Sequence, residues 1–307
     1  MNARNGFLYL VVVWFSWGLS YPFTAIALRV LDVWTSRCLV SGLAGIVMIG
    51  GVALTGGRVR VPREERWDLL IAAACNVAIF QVGMTYGVSL LSPGRTVVIV
   101  YTMPVWAALF AAFVLHERLT VGRCAALACG LAGLVILMDQ DLSNLANAPL
   151  GAALTLMAAV SFAFGTIWMK RRRWTLGPAA LAGWQLLAGT VPMLAIWLTI
   201  RPTVHWEAML PETWVAVAFL ALVSNGLAYI AWFRVVAIFP AVVSGIGTLA
   251  VPIVGVLSSA AMVGDEIGWR ELVALSAVCF ALALVLFSSI PSRPDWRSWF
   301  RRGVSTR

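Results

Sequence analysis

Charge is scarce in this chain of 307 residues: Asp, Glu, Lys and Arg together make up 11% of it, where a soluble domain carries about a quarter. So few charges cannot cover a water-facing surface, which excludes an ordinary soluble protein. The acids are missing where a membrane would make them most telling. All 13 Asp and Glu residues fall between the apolar runs or at their ends, and the two histidines, His116 and His205, are also peripheral. A proton relay across a bilayer normally runs over acids or histidines inside it. Any proton coupling must therefore use residues near helix ends. An intramembrane hydrolase or prenyl transferase would need a carboxylate cluster, a metal site or an activated nucleophile. The expectation is no enzyme, no catalytic residue and no cofactor. The five cysteines (Cys38, Cys75, Cys124, Cys129, Cys279) lie inside apolar runs without metal-ligand spacing. They read as small buried apolar residues, and no metal is expected. Lysine occurs once, at Lys170.

What remains is apolar: 61% of the residues, with a mean hydropathy of +0.91. A hydrocarbon core of ~30 Å takes about 20 residues of helix. Ten runs are long enough, at 6–28, 33–54, 69–91, 96–115, 121–138, 149–169, 178–200, 213–236, 241–263 and 272–290. The predicted fold is an all-α integral membrane protein of ten transmembrane helices, with no loop large enough to form a soluble domain.

A net charge of +9 could suggest nucleic acid, but its distribution argues for topology. With loops assigned alternately to two sides, one side collects Arg4, the arginines from Arg58 to Arg66, Arg118, Arg123, the run Lys170 to Arg173, Arg234 and the C-terminal tail. The other keeps Arg29, Arg37, Arg95, Arg201 and Arg270. Positive charge accumulates inside, so both termini are predicted to be cytoplasmic. A cleaved signal peptide competes for the first run, since Ala25-Ile26-Ala27 resembles a cleavage site. Cleavage would leave nine helices and remove half of a repeat, so retention is the expectation.

One signature occurs twice: Asn76, Pro93, Pro104, Glu117, then Asn225, Pro240, Pro252, Glu266, each copy covering the same length. Ser16-Trp17-Gly18 pairs with Ser161-Phe162-Ala163, and Gly42 with Gly189, at nearly the same offset. The chain is a duplication, and an odd five helices per half makes the second copy inverted, as in many secondary transporters. The predicted organisation is a first repeat at 1–140, an outer linker at 141–148, a second repeat at 149–290 and a basic cytoplasmic tail at 291–307. The tail reads either as an interfacial helix on anionic lipid or as a frayed basic end.

The polar and aromatic residues within the runs fall at helical spacing. Trp14, Trp17 and Tyr21 share a face in the first, with Pro22 breaking the ladder beyond. Asn76 with Phe80, and Gln81 with Thr85 and Ser89, form two stripes in the third. Ser161, Phe164 and Trp168 do so in the sixth, and Asn225, Tyr229 and Trp232 in the eighth. Walls of this kind would make an uncharged, amphipathic chamber suited to a neutral or zwitterionic solute. The asparagines could equally hydrogen-bond neighbouring helices. Gly83-x-x-x-Gly87 reads as a close helix contact. Pro104 and Pro252 predict kinks, with hinge use a hypothesis shared with Pro22. Glu117 and Glu266 read as helix caps at the following turns rather than substrate ligands.

Ten spans in two inverted fives, Trp17-Gly18 in the first, the proline in the fourth and the Glu117 turn together resemble the EamA branch of the drug/metabolite transporter superfamily. The usual glycine before the span-four glutamate is His116 here, although Gly264-Asp265-Glu266 comes close in the second half. The resemblance implies a metabolite exporter of a bacterial cytoplasmic membrane, working by alternating access. Family substrates include amino acids, nucleobases and sugar phosphates. The aromatic, uncharged interior favours amino acids, similar to the YddG-type aromatic amino acid exporters. Candidate wall residues are Trp17, Asn76, Phe80, Gln81, Tyr101, Trp168, Asn225 and Tyr229. The expected partners are a small-molecule substrate and membrane lipid, in a monomer or weak oligomer without nucleic acid. A lipid or lipid-carrier flippase and a nucleobase transporter remain alternatives.

Overall fold

The computed structural model describes residues 3–114, 148–171, 173–238 and 250–288, with isolated positions 125, 128, 129 and 132. Most of the predicted fifth span at 121–138, most of the linker, the tail at 291–307, Glu117, Pro240 and the first part of the ninth span lie outside the described residues. Everything described is helix or connection, with no strand among the described residues. Among the described residues, six helices are long and apolar enough to cross a membrane: Gly6–Ala27, Val33–Leu54, Arg63–Leu90, Pro149–Lys170, Pro178–Ile200 and Pro211–Trp232.

Proline decides where the first and fourth spans break. The first is divided into α1 (Ala3–Gly18) and α2 (Ser20–Ala27). The break lies four residues before Pro22, where the ring displaces the carbonyl and no amide returns to it. Hydroxyls bond the carbonyls on either side of the break: Ser20 Oγ donates to Trp17 O at 2.6 Å and Thr24 Oγ1 to Ser20 O at 2.7 Å. The fourth span repeats the device. α6 (Pro93–Val100) ends four residues before Pro104, and α7 begins at Met103 and runs to Val114. Thr102 Oγ1 caps the interruption by donating to Ile99 O at 2.7 Å.

α3 (Val33–Leu54) starts at Asp32, whose Oδ1 accepts from the amides of Trp34 and Thr35 at 2.9 and 3.0 Å. The third span holds α4 (Arg66–Ala73) and α5 (Phe80–Leu90), joined by a π-helical turn at Ala74–Ile79. After α8 (Ala148–Lys170) and α9 (Pro178–Ile200), the eighth span again contains π-helix, at Phe219–Leu227 between α10 (Pro211–Ala218) and α11 (Ala228–Ile238). The two asparagines of the duplicated signature sit inside the two π segments. π-turns are rare and cluster at functional sites, so their recurrence at Asn76 and Asn225 is the structural form of the repeat. α12 (Ala250–Val263) and α13 (Trp269–Ser288) complete the described chain.

The halves exchange equivalent contacts. α5 packs on α8 as α11 packs on α1, and α7 packs on α8 as α12 packs on α1. Glycines allow the approach. A Cβ at Gly83 would lie 2.7 Å from Leu154 O, and one at Gly18 would lie 2.6 Å from Val254 Cγ1. The Gly83-x-x-x-Gly87 motif is therefore a helix contact, as its spacing suggested.

At one end the halves are tied by charge. Asp265 Oδ2 accepts from Gly94 N at 2.8 Å, and Arg95 Nε donates to Glu271 Oε1 at 2.9 Å. Glu271 also accepts from Gly268 N at 3.0 Å. The carboxylate meeting the start of α13 is thus that of Glu271, while Glu266, expected there as a cap, stays exposed in the preceding link. Glu271 is 8% exposed and Arg95 25%, so Glu271→Gln takes the charge out of a largely buried contact between the halves. It is expected to cost about 1–3 kcal/mol and to lower the thermal midpoint measured in detergent.

Candidate functional site

Where the two broken helices meet the second π segment, the structure forms a cavity of about 70 Å³, room for roughly five waters. Trp17, Ser20 and Tyr21 enter from the first span, and Phe80, Gln81 and Met84 from α5. Val100, Tyr101 and Met103 come from the break in the fourth span, Phe162 from α8, and Leu220, Ser224, Asn225 and Tyr229 from the eighth. Arg37 of α3 completes the wall.

Six of the predicted residues are therefore brought together: Trp17, Phe80, Gln81, Tyr101, Asn225 and Tyr229. The amides of Gln81 and Asn225 form one hydrogen-bonded chain. Ser41 Oγ donates to Gln81 Oε1 at 2.5 Å, Gln81 Nε2 to Asn225 Oδ1 at 3.3 Å, and Asn225 Nδ2 to Leu220 O at 3.1 Å. This last bond reaches back five residues, to a carbonyl within the π segment. Trp17 Nε1 donates to Ser224 O at 3.3 Å in the same segment. The aromatic walls repeat with the halves. Trp17 meets Tyr229 edge-on at 6.2 Å, and Phe162, its counterpart, meets Phe80 at 4.7 Å.

Two predicted residues sit elsewhere. Asn76 Nδ2 donates to Gln185 Oε1 at 3.2 Å and approaches Met169 Sδ at 3.5 Å. Its Oδ1 is buried without a partner against Gly165, where any Cβ would clash with it. This asparagine joins α8 and α9 instead of lining the cavity. Trp168 is drawn to the far end of α8, where Nε1 donates to Asp68 Oδ1 at 3.0 Å and the Arg171 guanidinium lies 4.1 Å above its ring. Pro22 and Pro104 act on the site indirectly, by breaking the helices that present Tyr21 and Tyr101. Pro252 is in the first turn of the described part of α12, and the residues a break would involve lie outside the described ones.

The expectation of an uncharged chamber is corrected by Arg37. Its side chain is 2% exposed, and among the described residues its hydrogen-bond partner is Ser36 Oγ at 3.5 Å. Its Nε has none, and no carboxylate among the described residues lies within ion-pairing distance. By topology Arg37 counted as a charge of the outer side. The Asp32 cap shows why it is not: the helix starts at Val33, so Arg37 is already one turn inside, directed at the neighbouring helices. Arginine stays protonated in any protein setting, and a buried charge without a counter-ion costs several kcal/mol. Such a residue inside a membrane protein marks a substrate or ion pathway. No cluster of three metal-ligating side chains occurs among the described residues.

A sequence model of the EamA-like transporter family matches residues 4–139 and 149–287, one copy per half. Among similar proteins, the uncharacterized transporter YoaV of Bacillus subtilis is 23% identical over 91% of this chain and 96% of its own length. The probable amino-acid metabolite efflux pump of Salmonella typhimurium is 25% identical, over 94% and 96%. The uncharacterized inner membrane transporter YedA of Escherichia coli K12 is 28% identical, over 82% and 81%. One crystal structure of a protein superposes with a TM-score of 0.65 at 20% identity, covering 92% of this chain and 98% of that one; the likeness is one of fold.

Proposed function

The chain belongs to the EamA-like transporter family, and on that premise we propose that it exports small zwitterionic metabolites bearing a carboxylate, namely amino acids, aromatic ones included. The observation that carries this reading is Arg37, a buried guanidinium with no counter-ion among the described residues, facing a wall of Trp17, Tyr101 and Tyr229. A guanidinium takes a carboxylate in a two-pronged charge-assisted contact. The aromatic faces suit an apolar side chain and attract an ammonium group. Gln81, Asn225 and the Ser224 carbonyl offer the remaining polar contacts. One relative is named an amino-acid metabolite efflux pump, which agrees with this chemistry.

The architecture that serves this function is ten helices in two inverted repeats, residues 1–140 and 149–290. They are joined by an outer linker at 141–148, with the tail at 291–307 and both termini on the cytoplasmic side of a bacterial inner membrane. The arginine-rich loops on that side support the orientation, and the inner membrane transporter among the relatives supports the location. The cavity belongs to one state of an alternating-access cycle. Rocking of the repeats about it, with Pro22, Pro104 and Pro252 as hinges, opens it to either side. The protein works without cofactor as a monomer or weak oligomer.

Counterflow in proteoliposomes tests the substrate class. Phenylalanine and leucine are expected to exchange, whereas phenylalaninamide, which lacks the carboxylate, is expected to exchange at least tenfold more slowly. Equal rates for acid and amide, or lipid scrambling without amino acid flux, would overturn the proposal.

A further inference from the structure

Away from the central cavity, a second recess opens between the third and seventh spans. It holds about 760 Å³ and is walled by Leu69, Leu70, Ala74, Leu187, Val191 and Pro192. Val191 and Leu70 are 65% and 47% exposed, so the recess is an open groove facing the hydrocarbon. Its mouth is of opposite character. Arg60 and Arg66 line both the groove and an adjoining cleft of about 410 Å³, which also contains Arg58 and Arg63. None of these four arginines has a carboxylate partner among the described residues. The neighbouring acid Glu65 is turned inward, with Oε1 accepting from Thr175 N at 2.9 Å. The loop is held in place, since Trp184 Nε1 donates to Val59 O at 2.6 Å. Trp67, 77% exposed beside Arg66, has the amphipathic character of a side chain at a membrane interface.

We propose that this groove and cleft form a binding site for an anionic phospholipid, its phosphate held by Arg60 and Arg66 and one acyl chain lying along the groove. Charge complementarity selects the occupant. A zwitterionic lipid leaves the arginines without net compensation, whereas an anionic headgroup brings a phosphate that a guanidinium fork can grip. Basic pockets between membrane helices on the cytoplasmic side bind such headgroups in this way. The groove runs from Trp184 to Pro192, or about 12 Å of helix, enough for much of one leaflet's acyl chain. Because the site spans α4 and α9, a bound lipid joins the two repeats where they would part in a transport cycle.

The test is the thermal midpoint of the full chain in micelles doped with phosphatidylglycerol or phosphatidylcholine at equal mole fraction. Phosphatidylglycerol is expected to raise the midpoint by about 5 °C over phosphatidylcholine, and to remain bound in native mass spectrometry. The double variant Arg60→Ala/Arg66→Ala should lose this difference. So should Ala188→Trp, which fills the groove and leaves the arginines untouched; whichever variant folds decides. Equal midpoints in the two lipids, or a full phosphatidylglycerol shift in a folded variant, would overturn the site. An equal shift from glycerol 3-phosphate would also overturn it, by reducing the site to a soluble-anion cleft.

Discussion

Arg37→Met is expected to lower amino acid counterflow by about a hundredfold while leaving the empty protein at least as stable as the parent. Removing the residue that meets a substrate charge in a desolvated site costs about 2–5 kcal/mol, and each 1.4 kcal/mol is tenfold in binding. The stability side separates this role from a structural one. Arg37 has one hydrogen bond at 3.5 Å, no ion pair among the described residues and an Nε without partner. An apolar side chain of similar length in its place removes a desolvated charge and breaks almost nothing. A structural arginine would instead lower the thermal midpoint when replaced. Arg37→Lys should recover only part of the flux, because an ammonium reproduces the charge but not the planar fork. Phenylalaninamide exchange, slow already, should be insensitive to either change. A parental rate for phenylalanine in Arg37→Met would sink the assignment.

The second large effect is on assembly. Gly83→Val is expected to destabilise the protein by more than about 3 kcal/mol, visible as a loss of folded yield and of the thermal transition. A Cβ there would stand 2.7 Å from Leu154 O and 3.0 Å from the Ala158 methyl. The first is backbone inside α8 and cannot rotate away. At Gly50, where nothing lies within 4 Å of a built Cβ, the same substitution should be tolerated. A Gly83→Val protein with a parental midpoint would show that α5 and α8 are not held at this distance.

Much of the architecture was legible because membrane helices obey few rules. Apolar length, arginine placement and the doubled Asn–Pro–Pro–Glu spacing were enough to read a duplicated all-helical membrane protein. Pro22 and Pro104 announced their breaks, since a missing amide acts on the carbonyl four residues earlier wherever the helix packs. Asn76 and Asn225 show where that reading stops. Occupying the same position in each repeat, they read alike, yet Asn225 turns to Gln81 and the cavity while Asn76 turns to Gln185. A repeat conserves position along the chain, and the partner is supplied by the other half, which is not identical.

By itself, then, the sequence determined the spanning helices that the structure describes, the breaks at Pro22 and Pro104, the doubling and six of the aromatic and amide residues around the cavity. These follow from local rules of hydropathy, helical period and proline chemistry. Only the tertiary structure decided that Arg37 belongs to the interior, that Trp168 and Asn76 do not line the cavity, and that Glu271 rather than Glu266 meets the last helix. Each of those depends on which surface of a helix faces a neighbour, and near a helix end one residue of register separates a charge at the membrane surface from a charge in the core.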